Sequence, residues 1–249
     1  MSKVIALVGA QVATNVQVVQ QAGKLNFHFK TPDAQAADWA TLLARMNAVI
    51  VNVELQSPSG QTENIIPKIP LGVLAEMYST LEGFVNVTDN GADHDVRFSV
   101  ELSHEGALNL DQNTKLVINI TGMVENDALD VYATDFPLSS RAAIKTNALR
   151  FSANAPQGVS LQYGSHLCLP VASFEKIELN YPNGKTITLL KEELAEWCLE
   201  GNQIQGNLVG VITMGYLSYF CFNVVDATYC KITMTADVNG YLMNQVSIG

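Results

Sequence analysis

The sequence predicts an all-β protein built as two tandem jelly-roll β-sandwiches with short helices. Three observations carry this expectation. Many short segments alternate apolar and polar residues with a period of two, a motif recurs at half the chain length, and each half holds about eight such segments and one helical stretch. A chain of 249 residues with 48% hydrophobic content can bury one large core or two of about 100 to 150 residues each.

The repeat pairs Val53, Glu54, Leu55, Pro58, Gly60 and Thr62 with Ile177, Glu178, Leu179, Pro182, Gly184 and Thr186, a displacement of 124 positions with five identities in register. Ordinary residue frequencies do not produce this by chance. Downstream, Leu74-Ala75-Glu76-Met77 matches Leu194-Ala195-Glu196-Trp197, and Leu81-Glu82-Gly83 matches Leu199-Glu200-Gly201. Two duplicated domains follow, an N-terminal jelly roll over 1–128 and a C-terminal one over 129–249.

Along the chain, Val4 to Val19 reads as a first strand or as an arm reaching a neighbour or a membrane surface. The start Met1-Ser2-Lys3 before Val4–Val8 resembles a weak signal peptide whose apolar stretch is at the lower length limit, and retention is expected. Leu25 to Phe29 is a strand. An insertion at 32–47 places Trp39, Leu42, Leu43 and Met46 at helical spacing after a start at Asp33, giving a helix near 33–46. That helix serves as a lid over the end of the first barrel or as a contact between subunits. Val49–Leu55 and Phe174–Leu179 are strands closed by Pro-x-Gly turns, and Thr62–Ile66 and Lys185–Leu189 return antiparallel to them. Helices follow, with Leu71, Leu74, Met77 and Tyr78 on one and Leu190, Leu194, Trp197 and Cys198 on the other; Gly83 and Gly201 supply left-handed stops. Further strands are Val96–Leu102, Lys115–Thr121, Leu129–Ala133, Ala148–Ser152, Tyr229–Thr235 and Tyr241–Ser247. The link between the copies is expected in 124–147. From Leu208 to Val225 no residue is charged, which begins to suggest a membrane span of about 18 residues. Strand formers Val211, Ile212, Tyr216, Tyr219, Phe220 and Phe222 favour instead two buried strands with a turn near Gly215.

Composition limits the partners. A formal charge of −10 leaves no cationic surplus for phosphates along a nucleic acid, so no direct nucleic-acid contact is expected. Charged residues make up 15%, low enough to favour a surface covered by neighbours. Cys168, Cys198, Cys221 and Cys230 form no Cys-x-x-Cys pair and read as reduced, buried thiols.

Catalytic constellations are hard to find. A tandem jelly roll could be a metal-binding cupin, but His28, His94, His104 and His166 supply no His-x-His pair. No Gly-x-Ser-x-Gly elbow or phosphate loop occurs, and His166-Leu167-Cys168 reads as an ordinary strand end rather than a dyad. The expectation is a non-enzyme without catalytic residues, cofactor or resident metal. The densest polar cluster, 89–95, offers Asp89, Asp93 and Asp95 as calcium ligands; the spacing is not that of an EF-hand, and a solvated loop is the simpler reading.

A strand ending in Val-Glu-Leu or Ile-Glu-Leu, a tight Gly turn, a short return strand and a Leu-rich helix occur once per half, at Val53–Tyr78 and Ile177–Leu199. This pattern resembles the double jelly-roll major capsid proteins of tailless, membrane-containing viruses, most closely the small corticovirus-like form, over nearly the whole chain. The resemblance implies a homotrimer whose six upright barrels make a pseudo-hexameric capsomer of an icosahedral bacteriophage virion. It also implies minor capsid and vertex proteins as partners, an internal viral membrane next to the shell, and assembly in the host cytoplasm. Two other classes stay open: a tandem lectin-like carbohydrate-binding protein and a virion spike or vertex component.

Overall fold

The computed structural model describes residues 1–18, 20–57, 59–79, 85–103, 106–110, 114–140, 142–161, 164–200, 204–208 and 218–247, with backbone alone for Gln35, Leu199, Glu200 and Gln205. The chain divides into two units: 1–145 with 203–216 and 246–249, and 146–202 with 217–245.

Strands β1 (Ser2–Val8), β2 (Ala13–Val18) and β3 (Lys24–Pro32) open the chain. Helix α1 (Trp39–Met46) then precedes β4 (Ile50–Gln56), β5 (Thr62–Pro70) and helix α2 (Leu71–Ser79). β6 (Val85–Asp89), β7 (Asp93–Glu101), β8 (Ala107–Leu108), β9 (Lys115–Thr121), β10 (Ala128–Thr134) and β11 (Ser139–Ser140) follow. The second round runs through β12 (Ala142–Phe151), β13 (Gln157–Ser160), β14 (Gly164–Pro170), β15 (Phe174–Asn180), β16 (Thr186–Leu190) and helix α3 (Lys191–Glu200). β17 (Ile204–Gly206), β18 (Tyr219–Asn223), β19 (Tyr229–Met234) and β20 (Val238–Ser247) complete it.

In the first unit the sheets run β1-β10-β3-β7-β6-β17 and β2-β9-β4-β5; in the second they run β12-β20-β14-β18 and β13-β19-β15-β16. Matching by chain order, β1 corresponds to β12, β2 to β13, β3 to β14, β4 to β15, β5 to β16, β7 to β18, β9 to β19 and β10 to β20; among these eight pairs the neighbour relations are kept, while β6 and β17 extend the first unit's larger sheet without a counterpart among the described strands of the second. Each unit is a jelly roll in which the chain crosses between two sheets along the same route, four strands facing four in the second unit and six facing four in the first. The repeat seen in sequence is β4-β5-α2 against β15-β16-α3, the same station in both.

Period-two alternation explains the cores. In β7, His94, Val96, Phe98 and Val100 are buried while Asp95, Arg97 and Ser99 point outward. Phe27 and Phe98, opposite each other on β3 and β7, stack with centroids 5.2 Å apart. The second core gathers Phe151, Leu167, Leu169, Phe174, Ile177, Phe220, Phe222 and Ile232, with Phe174 meeting Phe220 edge to face at 5.4 Å.

Several expectations need correction. The units divide at 145/146, inside the expected link 124–147 but later than the 128/129 division, because β10 lies between β1 and β3 and belongs to the first unit. The acidic break at 125–127 is a tight turn, with Asn126 at a φ of 73°, that feeds this strand rather than a link between copies. Helix α1 starts at Trp39, not Asp33: Asp38 accepts from the Thr41 N–H at 2.8 Å and Thr41 reciprocates, a capping box that fixes the start. Asp33 opens a separate 3₁₀ turn. Residues 2–18 are β1 and β2, not an arm. The glycines Gly83, Gly201 and Gly215 lie outside the described residues; within the uncharged stretch Tyr219–Asn223 is a strand, and among the described residues no helix is long and apolar enough to cross a membrane.

Candidate functional site

The histidines and cysteines go to separate places. His28 on β3 pairs with Asp95, which Arg97 also grips through Nη2 at 2.9 Å and Nε at 3.2 Å. Burial pushes the Asp95 pKa up, but the hydrogen bonds from Arg97 and His28 outweigh it and hold the carboxyl below its usual range. His166 and Cys168 share one face of β14, and Cys168 is fully buried. Burial pushes the Cys198 and Cys230 thiols up to about 12, so they persist as neutral thiols rather than nucleophiles. All four cysteines are free and buried. His104 lies outside the described residues.

The outer face of the first unit's larger sheet carries a trough of about 620 Å³ lined by Lys24, Asn26, His28, Arg97, Ser99 and Tyr132. Met1, Phe27 and Phe98 line it as well, and neighbours already engage its polar groups: Ser99 donates to Asn26 at 2.6 Å and Asn26 to Thr134 at 2.7 Å.

The polar segment 89–95 is the turn of the β6–β7 hairpin. Asn90 Oδ1 accepts from the Ala92 and Asp93 N–H groups at 3.0 and 2.8 Å, Asp89 Oδ1 accepts from Gly91 at 2.9 Å, and Gly91 has the positive φ such a turn needs. The candidate calcium set of Asp89, Asp93 and Asp95 does not assemble. Alternation along β7 sends Asp95 outward to Arg97 and His28, while His94 points into the sandwich. Asp89 instead meets His94 and Asp33, their ligand atoms all within 4.8 Å of one another.

Register explains this convergence. His94 lies directly opposite Asp89 on β6 and Thr31 on β3, and Asp33 follows Thr31 by two positions with its N–H bonded to Ala92 O at 3.0 Å. Spacing along the sequence gave no sign of Asp33, which reads there as a helix start.

A second feature was not legible. β17 pairs in parallel with β6, Ile204 to Val85 and Gly206 to Val87, although it follows α3 in the chain. A Cβ on Gly206 would stand 1.9 Å from Val87 O, so this approach requires glycine. Asn207 extends the pairing with its side chain, accepting from the Asp89 N–H at 2.7 Å and donating to Asp89 O at 2.8 Å.

No family model matches the sequence, and no curated protein matches it. Among solved structures, the crystal structure of the major capsid protein P2 from bacteriophage PM2 matches with a TM-score of 0.53 at 9% identity, covering 100% of this chain and 96% of that one. The crystal structure of mavirus major capsid protein matches at 10% identity with a TM-score of 0.29, covering 99% of this chain and 86% of its own. The crystal structure of a quercetin 2,3-dioxygenase from Acinetobacter baumannii matches at 7% identity with a TM-score of 0.24, covering 94% of this chain and 71% of its own. The first match shows the fold: this chain shares the architecture of the PM2 protein from end to end.

Proposed function

We propose that this chain is a major capsid protein, a shell brick rather than an enzyme. The observation that carries the reading is the duplication: one polypeptide supplies two jelly rolls that share eight strands in the same sheet order. Its end-to-end likeness in fold to the PM2 capsid protein supports the same role. Three chains would then present six barrels, making a pseudo-hexameric capsomer that tiles an icosahedral virion around an internal membrane.

The surface suits neighbours. Val8, Val12, Val124 and Leu138 in the first unit, and Leu190, Trp197, Val225 and Tyr229 in the second, are large apolar side chains left exposed. A charge of −10 disfavours direct contact with a genome and fits a shell separated from it by lipid. Partners are further copies of the chain, minor capsid and vertex proteins and the membrane; the place is the virion, after assembly in the host cytoplasm. No catalytic group, cofactor or metal enters this role.

Light scattering on the purified protein tests it. A stable trimer is expected, because shell contacts of standard size need apolar area that a monomer leaves bare. A monomer at all concentrations would contradict the reading and favour a tandem carbohydrate-binding protein using the polar trough beside Tyr132.

A further inference from the structure

We propose that Asp33, Asp89 and His94 form a site for one divalent cation of the zinc class, which pins the α1 insertion to the β6–β7 hairpin. His94 is 2% exposed, and its Nε2 faces Ala36 O. A carbonyl oxygen only accepts, so Nε2 carries a proton, and in the neutral tautomer that a metal requires Nδ1 is a bare lone pair. That lone pair looks at Asp33 Oδ1 across 3.5 Å, too far and of the wrong polarity for a hydrogen bond between neutral imidazole and carboxylate.

His94 Nδ1 and Asp33 Oδ1 are both buried and without a hydrogen-bond partner, as is the hydroxyl of Thr31 opposite His94. Acceptors facing one another with no donor between them repel unless something positive lies between them. A cation bound by both atoms removes the conflict. Two ligands on one tetrahedral zinc stand about 3.4 Å apart, given bonds of about 2.1 Å. The observed 3.5 Å therefore matches an edge of that tetrahedron. Asp89 supplies a third ligand and water the fourth.

The donor set selects the metal. Calcium and magnesium prefer shells of oxygen, whereas an imidazole nitrogen with two carboxylates suits zinc or a neighbouring transition metal. The backbone carbonyl on Nε2 is the outer-shell contact that fixes tautomer and ring orientation in such sites. Asp33 begins the turn leading to α1, and the backbone of Asp89 is clasped by Asn207, so one ion ties the insertion, the hairpin and β17 together.

The test uses the full chain after treatment with a chelator, titrated with zinc chloride or calcium chloride while binding heat and thermal unfolding are followed. One zinc per chain is expected, with a rise in Tm of about 5 °C at zinc concentrations near 100 times Kd. Calcium should bind at least about tenfold more weakly. Asp89→Asn, which keeps an oxygen for Gly91, should weaken zinc binding at least about tenfold and abolish the rise in Tm. His94→Gln and Asp33→Asn should do the same, and Asp33→Asn decides where the variant at the buried His94 is too unstable to purify. Absence of zinc binding to the wild type would overturn the proposal, leaving an imidazolium or a buried water between these groups. Undiminished binding by both Asp variants, or equal affinity for calcium, would overturn it as well.

Discussion

Helices α2 and α3 occupy the same station in the two jelly rolls, yet one is sealed and the other is open. Every residue of α2 is buried, down to Glu76 and Ser79, whereas α3 exposes Glu192, Glu193, Glu196 and Trp197. The difference is the insertion. Between β3 and β4 the first unit builds α1, which packs on α2; between β14 and β15 the second has a 3₁₀ turn, Val171–Ser173. Gly72 permits the close approach of α1, since a Cβ there would meet Leu43 Cδ1 at 2.8 Å. Two copies of one sandwich thus differ in what covers their outer helix.

The largest expected effect comes from removing the anchor of α1. Arg45 Nε holds Asp127 Oδ1 at 2.8 Å, and the Asp127 side chain is fully buried. Arg45→Met leaves that carboxylate without its charge partner and should cost about 3–5 kcal/mol in urea unfolding. A loss below about 1 kcal/mol would mean that the pair acts like a surface salt bridge and α1 is held otherwise.

The comparison sharpens at Met77 and Trp197, which are equivalent in the repeat but 0% and 44% exposed. Met77→Ala should cost about 2–5 kcal/mol. Trp197→Ala, losing its packing on Phe222 at a centroid distance of 5.9 Å, should cost about 1–2 kcal/mol and should weaken self-association measured by light scattering. Equal losses of stability with unchanged association would remove α3 from the contact surface.

Gly206→Ala forces a Cβ against Val87 O and should cost about 1–3 kcal/mol as β17 leaves the edge of β6. Hydrogen exchange should accelerate at Asn207, whose N–H donates to Val87 O at 3.3 Å, and at Asp89, whose N–H is held by Asn207. Unchanged protection would show that the pairing survives.

The smallest effect is that of acid. Asp95 and Asp38, both in the first unit, are held low, Asp95 by Arg97 and His28 against its burial, Asp38 by the Thr41 N–H and hydroxyl. A depressed folded pKa contributes stability that is present above the unfolded value near 3.8 and is lost as pH falls through the lower folded value. Asp95→Asn should therefore flatten the acid limb of first-unit unfolding followed by hydrogen exchange, and an unaltered limb would contradict the assignment.

The sequence made the strands legible because one face of each sheet is buried, so period two is written directly into runs such as Arg97–Leu102 and Lys231–Thr235. The repeat was legible because the Pro-x-Gly turn and its strands are local. What was hidden depends on register between distant segments. Asp33 and His94 are brought together by β3 pairing with β7, and Gly206 reaches Val87 only after the chain has traversed most of the second unit. The domain boundary was misplaced for a related reason: a turn at 125–127 looks like a link until β10 is seen between β1 and β3.

The most direct test of the central claim, that this chain is a self-tiling brick, is electron microscopy of the concentrated protein or of particles containing it. Hexagonal arrays or closed shells, with two similar barrels per chain around each local sixfold, are the predicted result. Dispersed monomers with no lattice under any condition would contradict it.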